Sequence, residues 1–382
     1  MMDNSRLFEN YKLKYKVEVS RRLFVSPMVI LGVDNSGNIT DEDRSYLAHC
    51  AKGIGLYILG AEGISPEGKS TKNQALALSE KDIPSLEERP KIIKDQGALA
   101  ISQIMHAGLL GTKKYSGKTP LCPSKDVSNK HLEKSGKLND DNRNDEMIND
   151  DILRIIVNST EWCLKAGYDW IEIHGANNYL MQQFYSVYYN KRNDEWDGSL
   201  EKWMRFPLEI VDACYKIRDK YNKPEYIIGY RLSPEEKFEN SITMTNTISL
   251  IKALIQRTIQ YIHISQGNYF QEGRKGEGAG IPRLKFVHEL IKGKVALIGI
   301  GGLINDKDFN KALNSGNTNF IAAGRVSLLK KDLAILLKEG KDDKINLELE
   351  LEHPEKYSFP IKLWDLCLIG GNWLPPIKGK FY

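Results

Sequence analysis

The chain has 382 residues, 41% of them hydrophobic and 27% charged, with a formal net charge of +4. That composition suits a soluble globular protein with a large core, and scattered lysines of so small an excess belong to a solvated surface rather than a nucleic-acid site. No uninterrupted apolar run approaches the roughly 18–20 residues that cross a bilayer, and the polar Met1–Val17 segment lacks the apolar centre of a signal peptide, so a cytoplasmic protein is expected.

In chain order, strands are expected at Leu23–Val29, Leu56–Gly60, Leu99–Ile104, Trp170–Ile173, Tyr226–Arg231, Tyr261–Ser265, Val295–Ile300 and Asn319–Ala323. Between them lie amphipathic stretches that predict helices at Asp41–Lys52, Ile148–Ala166, Leu200–Tyr221, Met244–Gln256, Arg283–Lys292 and Asp306–Asn314. Thr40, Ser199, Thr243 and Asn305 stand where N-caps belong. Eight strands alternating with helices is the pattern that closes a (β/α)₈ (TIM) barrel. One domain spanning 1–382 is expected, with a barrel core of about 20–335 and a C-terminal extension of about 340–382. Residues 111–147 break the alternation: they are rich in Gly, Lys, Ser, Asn and Asp, and form a long loop insertion after the third strand. Such a loop is a covering element or is mobile. The five cysteines, Cys50, Cys122, Cys163, Cys214 and Cys367, are far apart and form no CxxC pair, so neither disulfides nor a metal site is expected.

The polar residues at the strand ends carry the chemistry. The fourth strand ends abruptly in His174, with Asn177 and Tyr179 just beyond. Two neutral hydrogen-bond donors and a phenol can grip a carbonyl oxygen and deliver a proton beside it. Gln103 lies within an apolar strand, where its amide needs a partner, either a ligand or the backbone. Arg231 ends the fifth strand, and a buried guanidinium there requires an anion, from a ligand or from a carboxylate. Gly301-Gly302 and Gly324-Arg325 follow the last two strands, where barrel enzymes commonly hold a phosphate.

Read together, Ile171-Glu172-Ile173-His174-Gly175-Ala176-Asn177-Asn178-Tyr179 and Asn190-Lys191-Arg192-Asn193-Asp194-Glu195-Trp196-Asp197-Gly198-Ser199-Leu200-Glu201 resemble the old yellow enzyme family, FMN-dependent ene-reductases on a (β/α)₈ barrel. The likeness runs in one order from about residue 6 to 330. It implies non-covalent FMN, NADH or NADPH as electron donor, and ping-pong reduction of activated C=C bonds in enones, nitroalkenes and quinones. It further implies that Pro27, Met28, Val29 and Ala61 meet the flavin through strand-end backbone, that Gln103 and His174 bind its ring system, and that Arg231 stabilises the reduced form. Gly301, Gly302, Gly324 and Arg325 would take the phosphate. His174 and Asn177 would hold the acceptor's oxygen, and Tyr179 would be the general acid. His106 is expected to be structural, and Arg192, Asp194 and Glu201 to form a loop-fixing ion-pair network. The sequence departs from the family at Val29, where a Thr or Cys is usual, which implies a differently tuned flavin potential, and at Asp197, where a glycine is usual. The cysteine cluster of the larger, iron–sulfur relatives is missing.

Two other classes stay open: another flavin-barrel reaction, such as amine demethylation or hydroxy-acid oxidation, and a non-catalytic flavin-binding protein. The expected partner is a small molecule, with no nucleic acid or membrane; assembly into a homo-oligomer stays open. Tyr269, Phe270, the 111–147 loop and the tail Trp364–Tyr382 are expected to shape the pocket.

Overall fold

The computed structural model describes residues 5–13, 17–111, 113–124, 145–146, 149–257, 259–341, 348–370 and 373–379. Its centre is a closed barrel of eight parallel strands: β1 Leu23–Val25, β2 Leu56–Gly63, β3 Leu99–Met105, β4 Trp170–Gly175, β5 Ile227–Leu232, β6 Tyr261–Ile264, β7 Ala296–Gly299 and β8 Phe320–Ala323. Each strand pairs with its neighbours in sequence, and β8 closes on β1 through Ala322↔Phe24. All eight expected strands are present. The first is shorter than its apolar run, because Pro27 cannot donate to a ladder; beyond it the chain pairs with β2 through an isolated Val29↔Gly60 bridge.

Helices surround the barrel: α1 Asp41–Cys50, α2 Ile83–Asp95, α3 Asn149–Lys165, α4 Leu200–Lys220, α5 Met244–Gln256, α6 Arg283–Ile291, α7 Asp306–Asn314 and α8 Leu333–Glu339. The capping oxygens act as expected: Thr40, Ser199 and Asn305 accept from the N–H groups of Asp43, Lys202 and Asp308, and Thr243 forms a capping box with Asn246. Two of these eight helices were not legible. Helix α2 carries Pro84 in its first turn and Pro90 inside, and α8 is only 7 residues long.

Side chains alternate along each strand, so one set fills the barrel and the other meets the helices. The lower interior is apolar: Phe24, Leu56, Ile58, Ile101, Trp170, Ile227, Tyr261, Ile298 and Phe320 pack with Leu13 and Val19. Val19 belongs to an antiparallel pair, Tyr11–Lys12 with Glu18–Val19, and Leu13 directly follows its first strand; together they plug the N-terminal mouth. Burial on this scale stabilises by about 25 cal/mol per Å² of apolar surface. With the lower end sealed, the C-terminal mouth is left for a ligand. The tail returns to that mouth: the helix Ile361–Ile369 buries Leu363 and Cys367, and Leu349 bridges Ile377.

Candidate active site

A cavity of about 980 Å³ opens at the C-terminal mouth, near the top of the roughly 300–1,000 Å³ usual for small-molecule sites. Every one of the sequence-selected residues lines it: Pro27, Met28, Val29, Ala61, Gln103, His174, Asn177, Tyr179, Arg231, Gly301, Gly302, Gly324 and Arg325. Gly60 allows β2 to approach β1 here, since a Cβ would lie 2.5 Å from the Met28 nitrogen.

His174 and Arg231 are register partners on β4 and β5, which brings the two side by side. The Ala176 N–H donates to His174 Nδ1 at 3.3 Å, so the imidazole proton resides on Nε2, free to donate. Burial, then Arg231 and His263, hold this imidazole well below 6.5, so it stays neutral. Asn177 and Asn178 adopt left-handed backbone, φ 60° and 62°, which Asn tolerates. The Asn177 N–H is anchored on Ser233 Oγ at 2.9 Å. Ser265 Oγ donates to Asn177 Oδ1 at 2.9 Å, leaving the amide NH₂ to donate elsewhere. The Tyr179 ring meets the His174 ring edge-on at 4.9 Å. Burial raises the Tyr179 phenol above 10 against the pull of Ser70 and Arg231, so it keeps its proton at neutral pH.

Gln103 does not bond to backbone. Its Nε2 donates to Glu172 Oε1 at 2.6 Å, so its carbonyl oxygen remains an acceptor. Arg231 donates from Nη2 to Ser265 Oγ at 3.2 Å, and its Nε is buried without a partner among the described residues. Burial lowers its pKa and Glu172 chiefly opposes this, yet an arginine keeps its charge. At the far end Gly301 and Gly302 have φ of 140° and 64°, conformations that favour glycine, and a Cβ on Gly301 would strike Asn268. Arg325 is exposed and pairs with no carboxylate among the described residues.

Some expectations need correcting. Tyr269 and Phe270 do not line the cavity: the Tyr269 phenol is turned away to the Ala312 carbonyl at 3.2 Å, and Phe270 lies beneath Lys311. The tail contributes Trp373 and Pro376 rather than Trp364, and Glu348 joins them. Of the 111–147 loop, Tyr115 lines the cavity; residues 125–144 lie outside the described residues. Arg192 pairs with Asp194 at 2.5 Å, but Glu201 bonds at the helix start and takes no part. His106 is structural: its Nδ1 accepts the Gly108 N–H at 3.0 Å and burial pushes it down to about 3. Sequence reasoning missed Ser70, Ser265 and Ile300. Ser265 could have been found, as a polar residue at a strand end.

A family model described as NADH:flavin oxidoreductase / NADH oxidase matches residues 6–344. The chain is 32% identical over 369 residues, 97% of each protein, to "Probable NADH-dependent flavin oxidoreductase YqiG" of Bacillus subtilis (strain 168). It is 29% identical to "NADH:fumarate oxidoreductase" of Klebsiella pneumoniae (strain 342), covering 97% of this chain but only 40% of that one. In fold it resembles the old yellow enzyme homologue from Zymomonas mobilis, with a TM-score of 0.75 at 21% identity over 93% of this chain and 99% of the other. The chain belongs to the NADH:flavin oxidoreductase / NADH oxidase family and is an oxidoreductase, with the barrel fold of the old yellow enzyme homologue. Its cofactor is FMN and its electron donor NAD(P)H. The residues present fit that cofactor: the unpartnered Arg231 Nε, the Gln103 carbonyl and the glycine cradle suit, in turn, a ring that becomes anionic, its ring N–H and a phosphate. Among the described residues no helix is long and apolar enough to cross a membrane.

Proposed function

We propose that the protein reduces activated C=C bonds, in enones, nitroalkenes and quinones, with electrons from NAD(P)H. The observation that carries this reading is the set of three uncharged hydrogen-bond donors, His174, Asn177 and Tyr179, lining one cavity. Bound FMN supplies the redox chemistry, accepting a hydride from NAD(P)H and returning one to the alkene. The protein's own residues do the rest. Arg231 would supply positive charge to the reduced ring system, and Gln103 would offer its carbonyl to a ring N–H. Gly301, Gly302, Gly324 and Arg325 would hold the FMN phosphate, and Pro27, Met28, Val29 and Ala61 would line its ring.

His174 Nε2–H and the Asn177 amide bind the acceptor's carbonyl or nitro oxygen. Negative charge develops on that oxygen as hydride reaches the β-carbon, and two preorganised neutral donors stabilise it there. Tyr179 then gives its proton to the α-carbon. Net transfer is one hydride and one proton to the alkene, and the phenolate regains its proton from solvent.

A hydroxy-acid oxidase reading fits less well, because such a reaction wants a basic imidazole, and His174 is held low by burial and two neighbouring groups. The test is anaerobic reduction of the purified protein by each nicotinamide, then reoxidation with a panel of enones, nitroalkenes and quinones. Reoxidation by these compounds is expected; if no activated alkene reoxidises the protein, the reading is wrong.

A further inference from the structure

Beneath the cavity floor lies a charged layer that the chemistry above does not use. Along β4, Trp170, Glu172 and His174 point into the barrel in ascending order, and along β6, Tyr261, His263 and Ser265 do the same. Trp170 and Tyr261 belong to the apolar interior, and His174 and Ser265 line the cavity. Glu172 and His263 form the layer between, both with 0% exposure.

Two hydrogen bonds define the state of this layer. Gln103 Nε2 donates to one oxygen of Glu172 at 2.6 Å, and His263 Nδ1 meets the other at 2.9 Å. A carboxylate only accepts, so His263 carries its proton on Nδ1. Its Nε2 is then bare, and it is buried with no partner among the described residues. His263 is also the register partner of Arg231. The titratable groups set against the imidazole are Glu172 and His174 from β4 and Arg231 from β5, while Tyr261, one layer below, is set against Glu172; on β7 the register partner of His263 is Ile298, which cannot titrate.

Burial would raise the Glu172 pKa, but His263, Arg231 and Gln103 outweigh it and keep Glu172 ionised. Burial, with Arg231 against Glu172, holds His263 below 6.5 and neutral. The negative charge of Glu172 in this layer is therefore balanced by Arg231 of the cavity wall just above it, for a net charge of zero, with a basic nitrogen in reserve.

We propose that the Glu172–His263 pair is a redox-linked proton site: when FMN in the cavity takes up a hydride, which is two electrons and one proton, His263 Nε2 binds a second proton from solvent. The hydride adds one negative charge beside Glu172, His263 and Arg231, a set of zero net charge. Protonation of Nε2 makes that set +1 and restores neutrality, with Glu172 already in place to hold the imidazolium. Both residues are positioning residues that act on the flavin through charge. The inference rests on FMN in the cavity and not on the alkene chemistry, and it stands or falls separately from the latter.

The test is an equilibrium redox titration of the FMN-loaded protein at several pH values, which counts protons taken up per two electrons. Wild type should take up as much as one proton more than His263→Gln, and the excess should vanish as pH rises. Glu172→Gln, which keeps the shape and removes the partner charge, should lose the same proton. Equal uptake by wild type and His263→Gln at every pH overturns the proposal. A second measurement needs no variant to fold: in ¹⁵N-histidine NMR of wild type, His263 Nε2 should be bare in the oxidised protein and protonated after dithionite reduction. A protonation state that does not change on reduction likewise overturns it.

Discussion

Replacing Tyr179 by Phe removes one oxygen and leaves the ring. The edge contact with His174 at 4.9 Å survives, so the wall of the cavity keeps its shape. The phenol's hydrogen bond with Ser70 is lost, worth roughly 0.5–1.5 kcal/mol, but Ser70 still donates to Gln74 at 3.2 Å and is not stranded. Folding should therefore change little. The chemical cost is larger: losing a general acid slows its step by about 10²–10⁴, or about 2.7–5.4 kcal/mol of barrier. Because burial raises the wild-type phenol above its ordinary value, the acid remains protonated through neutral pH, and the enone rate should not decline there on its account. Anaerobic stopped-flow separates the two half-reactions. Reduction by NAD(P)H and binding of phenols should be near wild type; enone turnover should fall by the factor above. Quinones, whose reduction needs no proton on carbon, should be spared. An unchanged enone rate in Tyr179→Phe would refute the assignment of the acid.

Asn177→Ala and His174→Ala each remove one neutral donor and should slow enone reduction by about 10²–10³ with weaker phenol binding; unaltered phenol affinity would show that the oxygen binds elsewhere. Arg325→Ala removes a charge-assisted contact of about 1.5–3 kcal/mol, so FMN affinity measured by fluorescence should drop roughly ten- to hundredfold, and an unchanged affinity would take Arg325 out of the phosphate site. His106 titrates at about 3 when folded and near 6.5 when unfolded, so the unfolded chain binds the extra proton between those values and stability is lost as pH falls through that window. His106→Asn keeps an acceptor for the Gly108 N–H but cannot titrate; denaturant unfolding should show a flatter acid limb, by at most about 5 kcal/mol, and an identical limb would refute this account.

Periodicity alone was enough to locate all eight strands and six of the eight helices α1–α8, since a barrel strand must be apolar on both faces and a covering helix on one. Pro84 and Pro90 concealed α2, where tertiary burial of Leu86 and Ile93 outweighs the local cost of proline. The resemblance, carried by short runs at strand ends, picked out thirteen residues that all line one cavity. Strand ends could be read because a parallel barrel sends every one of them to the same mouth. What the sequence by itself could not decide was which polar atoms are committed and which are left over. Gln103 is turned by Glu172, Asn177 by Ser265, and His174 by the Ala176 amide. Those choices depend on partners up to 88 residues away in the chain, brought within hydrogen-bond distance only by closure of the barrel. The same closure brings Trp373 and Pro376 of the tail to the mouth while turning Tyr269 away from it. Local pattern determines which groups arrive at the site, and strand register and packing determine which way they face.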